Sequence, residues 1–330
     1  MPLFSIIIPV YNRARLIGRA IDSCLNQGAE DCEVIVVDDG SSDNTLSVVR
    51  SYQDGRIKVV EHQANKGQCA AKNTGSRMAA GEWLIFLDSD DELVPGALDI
   101  VRNTVMKQGS AADKLFFMCR WSNGILSPDP PLKGEIWDYE GFVRWLESMI
   151  GFPIECLLCV KRTSFLQVPF PEGHRPEGRH NLDFSKTFRA MGCSDVLRVY
   201  HQNSHNRLMR PSVGNLLRYS PGYADEIDKT FEDHGVALKK WAPNLRLAYQ
   251  QVGALFHFLN GNRKIGFKYI ASYISAKPLS VKGWIILIFG FLGPWPLALM
   301  KTSYDTVAIS SNLLKVRGPA VRSANPATGK

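Results

Sequence analysis

The feature that most constrains the fold is a short apolar run that ends abruptly in acidic residues. Residues 83–87 are apolar throughout, and the run Asp88-Ser89-Asp90-Asp91 follows them directly. The length of the apolar run predicts a central, buried strand over Leu84–Leu87. In an α/β sheet, ligands bind at the carboxyl ends of the strands. Crowded carboxylates repel one another, so this strand end favours a divalent cation or phosphate site over a simple helix cap.

The preceding sequence alternates predicted strands with segments of helical periodicity. Strands are predicted over Phe4–Val10, Glu33–Val37 and Ile57–Glu61, with helices over residues 14–27 and 45–52. This alternation requires parallel strands joined by right-handed crossovers. We therefore expect an α/β fold with a doubly wound, mostly parallel sheet flanked by helices, followed by a helical carboxyl-terminal extension.

A second acidic strand end is predicted on the same edge of the sheet. The strand Glu33–Val37 leads into Asp38-Asp39-Gly40-Ser41-Ser42-Asp43, and no GxGxxG fingerprint occurs there. A nicotinamide or flavin enzyme is therefore disfavoured. Small residues in the segment 65–75 allow close backbone approach, and Lys72 places a cation on the helix that follows. Together these features indicate a nucleotide site.

Composition limits the other possibilities. The 330 residues are 45% hydrophobic, which is enough for a sizeable core, and the net charge of +7 suits an anionic partner. No basic–aromatic repeat is present, so we expect no nucleic-acid partner. Cys156 and Cys159 have CxxC spacing but lie in an apolar, strand-like run without a second pair. All seven cysteines are predicted to be free thiols in a reducing compartment, and no signal peptide is expected.

Four motifs, in order, resemble those of family 2 glycosyltransferases with the GT-A fold. They occupy Ser5–Asn12, Val36–Asp43, Asn65–Gly75 and Phe86–Asp91, over about the first hundred residues. The resemblance implies transfer of a sugar from a nucleotide-sugar with inversion at the anomeric carbon. It also implies a divalent cation, usually Mg²⁺ or Mn²⁺.

The resemblance also implies roles for particular residues. Asp39 corresponds to the acid that reads the base, and Lys72 stands where the family often has arginine. The residues implied in nucleotide-sugar binding are Pro9, Tyr11, Asn12, Asp39, Asn65, Gly67, Lys72 and Asp88. The implied metal ligands are Asp88 and Asp90, with His201 or His205 near the diphosphate. Arg207 and Arg210 could add positive charge over the phosphates.

The general base is left open by the sequence. In the family this base belongs to an acidic pair at the start of a helix, and the register places His180-Asn181 there. Asn181 cannot accept a proton from the acceptor hydroxyl, although a base contributes about 10²- to 10⁴-fold in rate. Asp183, Glu177 and His180 are the candidates, and a site without a base is the alternative. Asp183 could equally be a charge near a helix amino terminus.

The second half carries weaker patterns. A strand is predicted over Leu115–Cys119, a loop over Trp121–Lys133 and a helix over Gly141–Ile150. Leu157–Arg162 resembles the acceptor-side strand of the family, and a short strand is predicted over Val196–Val199.

The carboxyl-terminal part predicts contact with a membrane. Residues 283–300 carry no charge, but Pro294 and Pro296 interrupt a run that only just reaches spanning length. Basic residues interleave with aromatic ones upstream, as in interfacial helices. An interfacial or short inserted segment is favoured, and a buried helix is the alternative. We expect a GT-A domain over 1–211, a helical membrane-associating region over 212–315 and a disordered tail over 316–330.

The expected function is inverting transfer of a sugar from a nucleotide-diphosphate sugar, with a UDP-sugar favoured. The acceptor is expected to be a saccharide, in particular a lipid-linked one, in synthesis of surface polysaccharide or lipopolysaccharide at the cytoplasmic face of the inner or plasma membrane. Nucleotidyl transfer is disfavoured because the loop after residue 10 lacks a glycine-rich phosphate-binding pattern. A non-catalytic nucleotide-sugar-binding scaffold remains as the alternative, supported by His180-Asn181.

Overall fold

A mixed β-sheet organises the first 201 residues. The computed structural model describes residues 1–151, 154–173, 175–201 and 213–302. The strands are β1 Phe4–Val10, β2 Cys32–Asp38, β3 Ile57–Glu61, β4 Trp83–Phe86, β5 Glu92–Leu93, β6 Lys114–Trp121, β7 Leu126–Ser127, β8 Ile136–Trp137, β9 Cys156–Lys161 and β10 Ala190–Tyr200. Their order is β3-β2-β1-β4-β9-β6-β10-β5, with β7 paired to β6 and β8 to β10.

Helices cover both faces of the sheet and form the carboxyl-terminal extension. Those flanking the sheet are α1 Ile17–Leu25, α2 Thr45–Arg50, α3 Gln68–Met78, α4 Ala97–Gln108, α5 Tyr139–Ser148, α6 Arg162–Gln167 and α7 Gly178–Ser185. The extension contains α8 Val213–Trp241, α9 Pro243–Leu259, α10 Arg263–Ala276 and α11 Val281–Leu292, and residues 294–302 are also helical. The predicted α/β architecture with a helical extension is therefore confirmed.

The parallel part of the sheet brings the acidic strand ends together. Strand β1 lies between β2 and β4 and is parallel to both, while β3 extends the sheet beyond β2 in the same direction. The carboxyl ends of these strands consequently meet at one edge. Strand β9 runs antiparallel to β4 and β6, so the sheet is mostly rather than wholly parallel.

Helix α3 packs very closely on this parallel part. A Cβ atom added at Gly75 would lie 2.6 Å from the Ile7 Cγ2 atom on β1 and 3.2 Å from the Val37 Cγ2 atom on β2. Non-bonded carbon atoms do not approach so closely. Glycine, which has no Cβ atom, allows this distance between the helix and the sheet. The close packing sets the position of the amino terminus of α3 at the sheet edge.

Several predicted boundaries differ from the structure. The predicted strand Val196–Val199 is part of a longer strand, β10, whose register shifts between Cys193 and Val196. This bulge breaks the alternation of side chains between the two faces of the sheet. The sequence pattern therefore did not predict the first half of the strand. The predicted loop over Trp121–Lys133 contains β7. His205, Arg207, Arg210 and the tail 316–330 lie outside the described residues.

The carboxyl-terminal helices form a second core that adjoins the first. Phe256, Phe258, Ile270 and Leu297 are buried in it. The predicted apolar run 283–300 is divided, because α11 ends at Leu292 and Gly293 follows with a φ of 104°. Within the described part of the chain, no helix combines the length and apolar character needed to cross a bilayer.

Candidate active site

A cavity of about 660 Å³ opens at the carboxyl edge of β1, β2 and β4. It contains most of the residues predicted to bind nucleotide-sugar or metal. Those lining it are Pro9, Tyr11, Asn12, Asp39, Asn65, Gly67, Asp88, Asp90 and His201. The structure therefore gathers these residues into one site, although they come from five separate segments of the chain.

The loops after β1 and β2 are joined through Asn12. The backbone N–H of Asn12 donates to Ser41 Oγ at 2.9 Å, and Asn12 Oδ1 accepts from the Ser42 N–H at 2.8 Å. Asn12 has a φ of 51°, a conformation that asparagine tolerates better than most residues. The two loops thus form one rigid floor on the side where the nucleoside was predicted to bind.

Asp39 fixes the third loop of this floor. Its carboxylate accepts from the backbone N–H groups of Lys66 at 2.9 Å and Gly67 at 2.8 Å, and it lies 2.7 Å from His62 Nδ1. The carboxylate is nearly fully buried yet lines the cavity. It therefore supports the loop at residues 65–67 and still presents an acceptor edge to the cavity.

Asp88 lies between two buried cations. Lys72 Nζ is 3.4 Å from Asp88 Oδ1, and Arg198 Nη1 is 3.4 Å from Asp88 Oδ2. Desolvation acts to raise the Asp88 pKa, but the attraction of Lys72 and then Arg198 outweighs it and holds the pKa below its usual range. Asp88 is consequently an anion in the folded protein.

The same two cations extend the network to three further acids. Lys72 donates to Glu177 Oε1 at 2.7 Å, while Arg198 is 3.1 Å from Glu155 Oε2 and 3.5 Å from Asp91 Oδ2. Burial raises the pKa of Glu155, and Arg198 partly opposes this shift. Lys72 thus contacts both Glu177 and Asp88 and brings these two acids together, although they are distant in sequence.

Sequence reasoning missed Arg198, Glu155 and Arg13. Arg198 follows Val196-Leu197 in an apolar strand, and a charge at such a position was an available signal. Arg13 is nearly buried and lies 3.7 Å from Asp90 Oδ2. These residues became recognisable only when the sheet brought β10 and the loop after β1 beside the acids.

The predicted metal ligands share the cavity but face protein partners. Asp88 contacts Lys72 and Arg198, Asp90 contacts Arg13, and His201 Nε2 lies 2.9 Å from Glu92 Oε1. Among the described residues, no group of three or more His, Cys, Asp or Glu side chains is arranged to hold a metal ion. The donor types nevertheless suit Mg²⁺ or Mn²⁺, which prefer carboxylate oxygens.

The three candidates for the general base occupy different environments. His180 is almost fully buried, its ring centroid lies 4.3 Å from that of Phe170, and burial lowers its pKa far below the usual value. The Asp183 carboxylate lies 3.2 Å from Arg179 Nη2 on its own helix, α7, and 2.8 Å from His234 Nε2 on α8. Glu177 alone among them belongs to the network that includes Asp88. None of the three lines the cavity as Asp88 does.

A buried lysine lies beside the pair His180-Asn181. Lys114 is 1% exposed, and its Nζ atom lies 2.9 Å from His180 Nε2 and 3.1 Å from Asn181 Oδ1. Burial lowers the pKa of Lys114 far below its usual value. His180 and Lys114 therefore belong to a buried, polar part of the core, and Asn181 is half-buried beside them.

We expect the stabilising contribution of Lys114 to rise with pH. The folded state binds this proton less tightly than the unfolded state, so the free energy of unfolding gains up to about 1.4 kcal/mol per pH unit between the lowered folded pKa and the unfolded pKa of about 10.4. Between about pH 7 and about pH 9, the free energy of unfolding measured with urea should rise more for wild type than for Lys114→Met. An equal difference at both pH values would contradict this, and Lys107→Met is the control for an exposed lysine.

Comparison with known proteins identifies the family. Residues 5–112 match the model of Glycosyl transferase family 2. The GalNAc(5)-diNAcBac-PP-undecaprenol beta-1,3-glucosyltransferase of Campylobacter jejuni is 50% identical over 300 residues, covering 88% of this chain and 94% of that protein. The UDP-Glc:alpha-D-GlcNAc-diphosphoundecaprenol beta-1,3-glucosyltransferase WfgD of Escherichia coli is 39% identical over 105 residues, covering 32% of this chain and 42% of that protein. The chain belongs to glycosyltransferase family 2, and it is a glycosyltransferase.

Solved structures confirm the GT-A fold. S. aureus TarS 1–349 in complex with UDP-GlcNAc has a TM-score of 0.56 at 19% identity, covering 93% of this chain and 92% of that one. The mannosyltransferase PcManGT from Pyrobaculum calidifontis, solved with GDP-Man and Mn²⁺, has a TM-score of 0.54 at 20% identity, covering 96% and 87%. The likeness extends over the helical extension as well as the sheet.

Proposed function

We propose that the protein is an inverting glucosyltransferase that moves glucose from UDP-glucose to a saccharide carried on a polyprenyl diphosphate. The observation that carries this proposal is the 50% identity, over 88% of the chain, to a protein named as an undecaprenol-diphosphate-linked beta-1,3-glucosyltransferase. A second relative, with a shorter match, is named for the same linkage and carrier. The cavity supports the proposal because its predicted nucleotide residues are gathered at one sheet edge.

In the proposed mechanism, the three loops of the floor bind the nucleoside. Asn12 joins the loops after β1 and β2, and Asp39 holds the loop at residues 65–67, so the nucleoside would meet a pre-organised surface. The diphosphate would lie towards Asp88 and Asp90. Lys72 and Arg198 keep Asp88 ionised and correctly oriented.

We propose Asp88, Asp90 and His201 as the residues that hold a divalent cation. All three line the cavity. Such a cation, when bound, neutralises negative charge on the departing nucleoside diphosphate. Before it binds, Lys72, Arg198 and Arg13 offset the charge of the two carboxylates.

We propose Glu177 as the residue that accepts the proton from the acceptor hydroxyl. Its side chain is 22% exposed and is oriented by Lys72, which also contacts Asp88. Transfer with inversion needs the base on the face of the sugar opposite the leaving group. Asp183 is less suited to this role because Arg179 and His234 hold it against α8.

We also propose that the helical extension binds peripherally to the cytoplasmic face of the membrane. Residues 234–302 contain no acidic residue. The basic ones in that range are Lys239, Lys240, Arg246, Arg263, Lys264, Lys268, Lys277, Lys282 and Lys301. Large apolar side chains are exposed nearby, including Ile288 at 56%, Leu292 at 61% and Trp295 at 63%. A basic surface with exposed aliphatic and aromatic groups complements an anionic bilayer.

The function is tested by transfer of labelled sugar into lipid. UDP-glucose, other UDP-sugars, GDP-mannose and dTDP-glucose would be offered with saccharides on polyprenyl diphosphate, and the new anomeric linkage determined by NMR. A β linkage from UDP-glucose is the expected product. Donor binding without turnover on any of these acceptors would instead favour the scaffold alternative. An α linkage would refute inversion.

We expect the variant Ile288→Ser/Trp295→Ser to bind anionic phospholipid vesicles at least about tenfold more weakly than wild type, because each buried side chain contributes about 1.5–3 kcal/mol. Vesicle sedimentation measures the effect. Val236→Ser, on α8 and 85% exposed, is the matched control for loss of a surface apolar group. Unchanged partitioning of the double variant would place the membrane contact elsewhere.

A further inference from the structure

One face of α8 closes the cavity opposite the sheet edge. Asn215, Arg218, Tyr219 and Tyr223 all line the cavity. Their spacing of three, four and eight residues places them on the same side of a helix. This wall lies outside the residues matched by the family model, which end at residue 112.

The wall is held firmly against the sheet domain. Arg175 Nη1 lies 2.7 Å from Asp225 Oδ2 and 2.8 Å from Glu226 Oε1, one turn beyond the cavity face of α8. The Tyr223 ring packs on Phe256 of α9 with centroids 4.6 Å apart. The backbone carbonyl of Arg175 also accepts from Cys69 Sγ on α3 at 3.3 Å. The residues of α8 are therefore built into the cavity rather than placed loosely beside it.

Arg218 differs from the other arginines that line the cavity. Arg13 is paired with Asp90, and Arg175 with Asp225 and Glu226. Arg218 is exposed, and its guanidinium carbon lies 5.7 Å from the centroid of the Tyr219 ring. Within the described ranges, Arg218 forms no ion pair with a carboxylate. Its charge is therefore available to an anionic ligand, and a guanidinium can donate two parallel hydrogen bonds to phosphate.

We propose that Arg218 binds the diphosphate group of a ligand in this cavity, with the neighbouring Tyr219 and Tyr223 contacting the group attached to it. Tyrosine rings offer both an apolar face and a hydroxyl to a sugar or a base. The assignment rests on the proposed function, because both substrates named there carry a diphosphate. The diphosphate bound by Arg218 could therefore belong to the nucleotide-sugar or to the polyprenyl-linked acceptor.

The test compares each diphosphate ligand with a matched ligand that lacks the group. Calorimetry would measure binding of UDP and of uridine. Kinetics would measure KM for a saccharide on polyprenyl diphosphate and for the same saccharide on a simple alkyl carrier. Arg218→Gln should weaken one diphosphate ligand at least about tenfold and leave its diphosphate-free counterpart unchanged. Arg218→Lys should retain part of the affinity, and Lys107→Gln, exposed on α4 and away from the cavity, is the surface-charge control.

Each result has a defined meaning. Selective weakening of UDP assigns Arg218 to the donor, and selective weakening of the lipid-linked acceptor assigns it to the acceptor. Equal weakening of UDP and uridine, or no change for any ligand, overturns the proposal. If wild type transfers no sugar to polyprenyl-linked acceptors, the proposed function fails, and the comparison of UDP with uridine still tests Arg218. The melting temperature of each variant confirms that it is folded.

Discussion

Glu177→Gln is expected to lower kcat by about 10²- to 10⁴-fold, because the acceptor hydroxyl would lose the group that takes its proton. Glutamine keeps the size of the side chain but cannot accept the proton. Since Glu177 contacts Lys72 rather than the nucleoside loops, KM for the donor should change little. Initial rates at saturating donor and acceptor measure the effect.

Two other variants distinguish Glu177 from the remaining candidates. Asp183→Asn weakens the contacts with Arg179 and His234 by removing the negative charge, and should mainly lower thermal stability. His180→Gln alters a buried, neutral ring and should likewise act on folding. A folded Asp183→Asn enzyme with the larger loss of kcat, beside an active Glu177→Gln enzyme, would transfer the role to Asp183. Glu177→Asp should recover part of the rate if a carboxylate is what the site requires.

Removal of the proposed divalent cation is the second change with a large expected effect. We expect EDTA to suppress turnover, and Mn²⁺ or Mg²⁺ to restore it. Asp90→Asn should lower kcat/KM by about 10³-fold, because charge on the departing nucleoside diphosphate would be less well neutralised. Calorimetric titration with Mn²⁺ in the presence of UDP should show weaker metal binding by the variant.

The control for Asp90→Asn is Asp195→Asn, an exposed carboxylate beside the bulge of β10. It changes the net charge equally but does not line the cavity. Full activity in EDTA, together with unchanged Mn²⁺ binding by Asp90→Asn, would show that Arg13, Lys72 and Arg198 suffice for charge neutralisation. Asp90 would then act only through its contact with Arg13.

The parts of the site that sequence predicts well are those set by local pattern. Apolar runs ending in Asp38-Asp39 and Asp88 identify strands and their carboxyl ends, and parallel pairing then places these acids together. No distant contact is needed for that inference. This is why the gathering of these residues at one edge of the sheet could be predicted from the sequence.

The parts that sequence does not predict depend on contacts between distant segments. Glu177 meets Lys72 across 105 positions, and Arg198 meets Asp88 across 110. The bulge in β10 breaks the alternation that would have revealed the whole strand. The wall on α8 carries no motif, since its residues share only a helical spacing. These residues come together only through the packing of the sheet and helices, which the sequence pattern does not reveal.

The dual role of α8 has a consequence for recombination among related enzymes. This helix borders the cavity at its amino-terminal end and packs against α9 in the carboxyl-terminal core further along. A crossover placed just before α8 would therefore exchange the proposed ligand-binding wall together with the helices proposed to bind the membrane. Chimaeras joined after Trp241 would keep the wall with its own sheet, so they would exchange the helices proposed to bind the membrane without replacing any residue that lines the cavity.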